Sequence, residues 1–112
     1  MNPVETIIFE VQGSAKEPYS VKFQQLAGRI AASCTCPAGV FQDLCKHRVM
    51  ILNGITKDIV SDNAAAVAQI QQWIVGTEVA AALAEMTSIE AQIDQLKKQL
   101  KEVKKTVAHI MA

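Results

Sequence analysis

The stretch CTCPAGVFQDLCKH, residues 34–47, holds all three cysteines of the 112-residue chain and one of its two histidines. Cys34 and Cys36 stand one residue apart, as do Cys45 and His47, with eight residues between the pairs. The opening MNPVETIIFE has no basic start, carries Glu5 and Glu10, and lacks a long apolar run. No secretory signal is therefore expected, and the chain is read as cytoplasmic, where thiols stay reduced. An odd cysteine count also fits a disulfide framework poorly. Two thiolates followed by a thiolate and an imidazole are the donor set that tetrahedral zinc takes in closed structural sites.

The backbone has to cooperate. In an extended strand Cys34 and Cys36 share a face, and Pro37-Ala38-Gly39 lets the chain turn so that their sulfurs converge. In mid-helix Cys45 and His47 would point about 200° apart. They converge only if Cys45 sits at a helix entrance and His47 in the first turn, where unpaired N–H groups favour a thiolate.

With these residues in view, SCTCPAGVFQDLCKHRVMIL resembles a SWIM-type zinc finger, whose pattern is CxC, a variable spacer, then CxH. Pro37, Lys46 and the apolar helix after His47 also resemble common features of that family. The resemblance covers roughly residues 5–54 once the preceding strands are included. It implies a ββα-like unit in which a hairpin delivers Cys34 and Cys36 and a helix start delivers Cys45 and His47, with Zn2+ as cofactor. SWIM domains occur in chromatin-remodelling ATPases, plant transposases, kinases linked to ubiquitin ligation and diverse bacterial proteins. Their usual role is binding DNA or protein, with catalysis in other domains.

Other uses of the cluster explain less. A redox CxC pair leaves Cys45 and His47 without a purpose, and a Cys–His nucleophile lacks a third, orienting group. Four protein ligands leave zinc no open position for water, so no enzyme and no small-molecule substrate is expected. Lys46, Arg48 and Arg29 are the candidate nucleic-acid contacts, with Lys22 and Lys57 as extensions, set against ordinary solvated surface. Formal charge cancels, with eleven basic and eleven acidic residues, so no global field draws the chain to nucleic acid or anionic lipid. Aromatic residues interleaved with basic ones, the usual single-strand signature, are missing.

Around the cluster the periodicities predict an α+β chain. Residues 6–12 alternate Ile7, Phe9 and Val11, and Tyr19, Val21 and Phe23 alternate again. A turn through Gly28 leads to a third strand over 29–33, giving a three-stranded antiparallel meander. A short helix over 44–53 ends at Gly54. A second, capped by Ser61 or Asp62, spans 64–75 with Trp73, Ile70 and Ile74 on its core face. Helical sequence resumes at Glu78, and Thr87 with Glu90 matches a capping box, so a helix is expected over 87–111. The expected organisation is a zinc-finger domain over 1–58 and a helical region over 59–112.

That last helix carries Ile89, Ile93, Leu96, Leu100, Val103, Val107 and Ile110 at alternating steps of four and three, an unbroken coiled-coil heptad seam. His109 is read as a cap suited to the helix dipole. Either the helix folds back on 62–85 or it pairs with another chain, and a homo-oligomer through this helix is expected. Antiparallel pairing sets Glu90 near a partner's Lys104, whereas parallel pairing sets glutamines against lysines. No window approaches the roughly 18 apolar residues of a membrane span. The function expected is a non-catalytic adaptor that binds protein or DNA. The alternative is a purely structural assembly subunit in which zinc only stabilises the fold.

Overall fold

In the computed structural model, residues 4–41 and 43–112 are described. The alternating apolar runs form the expected meander: β1 (Glu5–Val11), β2 (Tyr19–Leu26) and β3 (Arg29–Cys34), antiparallel in the order β1-β2-β3. Phe9 lies opposite Val21 and Ile7 opposite Phe23, so one face carries the apolar side chains. Phe9, Val21 and Phe23 are fully buried, and the Phe9 and Phe23 rings meet edge to face at 6.2 Å. The outer edge of β1 is partly covered by a returning segment. Val11 bridges Ile59, Gln12 N–H donates to Asp58 O, and Val60 N–H donates to Glu10 O.

Two short helices follow, α1 (Pro37–Val40) and α2 (Lys46–Leu52). Gly54 just beyond α2 has the expected left-handed φ of 83°. Residues 64–75 form a 3₁₀ turn (Ala64–Ala66) and then α3 (Val67–Ile74), rather than one helix. Ser61 does not cap it. Its hydroxyl accepts from Glu10 N–H and donates to Asn63 Oδ1, tying the segment to β1. Val67, Ile70, Trp73 and Ile74 form the buried face of α3. The chain divides into two compact units, Met1–Val75 and Gly76–Ala112, so α3 packs within the first.

The second unit is the single helix α4 (Glu78–Ile110). It begins nine residues before the expected capping box. Thr87 lies inside it and donates its hydroxyl to Leu83 O, a back-bond rather than a cap. Nothing in the intervening alanine-rich sequence breaks a helix, so nucleation upstream simply propagates through Thr87. Glu78 occupies the first turn and His109 the last, both favourable to the dipole. None of the described helices is long and apolar enough to cross a membrane.

The β2–β3 hairpin holds the main local strain. Leu26 pairs with Arg29, leaving Ala27 and Gly28 as a two-residue turn with φ of 51° and 79°. Positive φ at both positions is the geometry that favours Asn-Gly, and an alanine there costs about 1–2 kcal/mol. Ala27→Asn should stabilise the first unit by about 0.5–1 kcal/mol in chemical denaturation. An unchanged or lowered midpoint would show that the turn carries no such strain.

Candidate metal centre

The register of the sheet starts the site. Cys34 ends β3 opposite Val21, and the ladder continues one step, with Thr35 N–H donating to Ser20 O and Ser20 N–H donating to Thr35 Oγ1. Alternation therefore turns Thr35 outward and buries Cys34 and Cys36. Cys36 is the N-cap of α1, its Sγ accepting from Gly39 N–H at 3.4 Å. Cys45 is the N-cap of α2, its Sγ accepting from Arg48 N–H at 3.5 Å, and His47 lies in the first turn. Each cap thiol thus faces the positive end of a helical turn.

Gly39 contributes through its lack of a side chain. A Cβ there would lie 2.2 Å from the carbonyl oxygen of Cys34, so α1 can fold back over the end of β3 only with glycine at this position. Sequence reasoning credits Gly39 with turning ability; its role is close approach.

Cys34, Cys36, Cys45 and His47 are all buried, and their donor atoms lie within 4.8 Å of one another. His47 Nδ1 is 3.9 Å from Cys34 Sγ, while Nε2 is buried without a hydrogen-bond partner. The Tyr19 ring packs against the imidazole at 5.1 Å. A zinc tetrahedron with ordinary bond lengths has edges of about 3.5–3.8 Å. Three free thiols and an imidazole, gathered in the interior with no disulfide among them, fit a zinc ion closed on all four sides. The set therefore binds Zn2+.

Electrostatics distinguish the ligands. Burial pushes the Cys34 thiol up to about 12. Burial also acts to raise Cys45, but hydrogen bonds from the Arg48 side chain and backbone outweigh it and hold that thiol below its ordinary value. Burial, reinforced by the charge of Lys46, lowers His47, which is accordingly neutral at pH 7.

Sequence reasoning missed the role of Arg48. Its Nε donates to Cys45 Sγ at 3.3 Å, one terminal nitrogen donates to Ala32 O at 3.3 Å, and the other to Asp43 O. The guanidinium thus joins β3, the loop before α2 and a zinc-binding sulfur. Lys46 is exposed at the first position of α2, beside the ligands. Arg29 is exposed at the far end of β3 from Cys34, roughly 17 Å away along the strand. Arg48 is thus engaged within the metal centre, while Lys46 and Arg29 are exposed.

Two measurements check the site. Zinc requires thiolates, and Cys34 holds its proton throughout the neutral range in the metal-free fold, so zinc must displace it. His47 has no proton to lose there. Affinity from chelator competition should fall at least about tenfold for each pH unit lowered from about pH 8 to pH 6, the share that Cys34 contributes by itself. A flat profile would contradict this ligand assignment. Arg48→Gln should weaken zinc binding about tenfold or more by removing the donor to Cys45, with Arg48→Lys recovering part of the loss. Wild-type affinity in Arg48→Gln would deny the guanidinium this role.

No curated protein and no solved structure matches the chain. A family model does: residues 20–53 match the SWIM zinc finger. That span runs from Ser20, which holds Thr35, through β2, β3 and all four ligands to the end of α2. The first unit of this chain therefore carries a SWIM zinc finger.

Proposed function

We propose that the chain is a non-catalytic adaptor, in which the zinc finger binds a protein partner and α4 joins copies of the chain. The observation that carries this reading is the apolar surface of the loop between the ligand pairs. Val40, Phe41 and Leu44 are 66%, 78% and 55% exposed. They lie between Cys36 and Cys45, so zinc fixes both ends of the segment that presents them. Exposed aromatic and aliphatic side chains on a rigid support are the usual anchors of a protein contact.

Charge favours protein over nucleic acid. Residues 1–75 contain six basic and six acidic side chains, and zinc with three thiolates and a neutral imidazole adds one net negative charge. Arg48 is spent on internal contacts, and Arg29 stands at the opposite end of β3 from Cys34. A phosphate backbone would find little to neutralise. Catalysis finds no support in a zinc whose four positions are filled by protein. The exposed seam of α4 supports self-association.

The test compares the full-length, zinc-loaded chain with Phe41→Ser/Leu44→Ser. The variant should keep its zinc and its circular dichroism but lose, by at least about tenfold, the protein that the parent retains from host extract. Duplex DNA should bind neither form appreciably at low salt. Equal retention by both forms, or salt-sensitive DNA binding by the parent, would overturn the reading.

A further inference from the structure

The seam of α4 has an internal symmetry that selects one mode of pairing. From Ile89 to Ile110 its residues are 45–76% exposed on an uninterrupted helix, so no hairpin within 78–110 covers them. Because α4 starts at Glu78, Met86 also extends the seam one step upstream. Set two copies antiparallel, centred on Lys98. Leu96 then faces the partner's Leu100, Ile93 the partner's Val103, and Ile89 the partner's Val107. Met86 faces the partner's Ile110. Every seam position from 86 to 110 finds an apolar counterpart, and each layer combines side chains of similar total size.

The flanking positions agree. In this alignment Glu90 lies beside the partner's Lys104, twice per pair by symmetry, and Leu83 beside the partner's Met111. Lys97 and Gln99 each meet their own copy, and Lys97 is the one like-charged contact among the flanking positions. A parallel pair would instead set Glu85 against the partner's Glu90 twice and Gln92 and Gln99 against lysines, with no opposite charges facing. It would also stack valine on valine at 103 and 107, and it lacks the leucine-rich d positions of parallel dimers, since 89, 103 and 110 are Ile, Val and Ile. The acidic residues of α4 concentrate in its first half and all five of its lysines in the second, so antiparallel helices also complement each other along their length.

We infer that α4 pairs with the α4 of a second copy as an antiparallel two-helix coil centred on Lys98, with Glu90 facing the partner's Lys104. This rests on the self-association proposed above and adds its partner number, direction and register. The two Glu78 positions then stand about 60 Å apart.

Sedimentation of the full-length, zinc-loaded protein at low salt tests it. The parent should be a dimer. Glu90→Lys and Lys104→Glu should each weaken association about tenfold, and Glu90→Lys/Lys104→Glu should restore it to within about threefold. The helix itself tolerates the exchange, because a lysine at 90 lies one turn before Asp94. A parallel pair gives opposite signs: Glu90→Lys tightens association by relieving Glu85, and Lys104→Glu is silent. Either result, or an assembly larger than two, overturns this pairing while leaving self-association standing. A parent that stays monomeric at all concentrations overturns both.

Discussion

The sulfurs of Cys34, Cys36 and Cys45 and the imidazole of His47 share one small interior volume. Three thiolates that close repel strongly at the low effective dielectric of a protein interior, and protonated thiols would still leave Nε2 of the buried imidazole without a partner. A divalent cation resolves both problems. The structural consequences spread from there: β3 must end at Cys34, α1 must fold back over its carbonyl, and α2 must begin at Cys45. A three-stranded meander with few aromatic residues buries too little to hold these elements alone. Structural zinc contributes roughly 10–16 kcal/mol at neutral pH in finger peptides, as much as the entire stability of a small domain.

Zinc with three thiolates is itself a buried anion, and that explains the company it keeps. Arg48 reaches Cys45 Sγ with its guanidinium, and the N–H groups of Gly39 and Arg48 point at the two capping sulfurs. Charge is balanced on the sulfur side rather than by surface lysines. The same arrangement withdraws Arg48 from solvent, so a residue that looks like part of a basic patch in sequence is part of the metal centre in three dimensions.

The ligands and their order were legible because chemistry constrains spacing: two pairs with a single residue between members, joined by a spacer, match little else than a closed metal site. The strands were legible for the same reason of period, through Phe9 and Val11 and then Val21 and Phe23. What escaped was whatever depends on which distant backbone groups come near. Nothing local announces that Arg48 meets Ala32 O, that Ser61 serves β1 instead of capping, or that Gly39 lies against Cys34 O. The Thr87–Glu90 pair shows the converse error. A local capping signal was overridden by the cooperativity of a helix already under way at Glu78.

In the proposed adaptor the two units would also need each other on energetic grounds. A contact built on Val40, Phe41 and Leu44 is far smaller than the roughly 800 Å² per partner of a stable protein interface. One finger alone would therefore bind such a partner weakly, and weak binding by a small apolar loop would discriminate poorly. In the proposed dimer, two fingers held by one coil would change the arithmetic, because once the first engaged, the second would experience an effective concentration set by the linkage instead of the cell. Such a proposed linkage would favour partners that present two sites over those that present one, so selectivity would come from valency as well as from the loop.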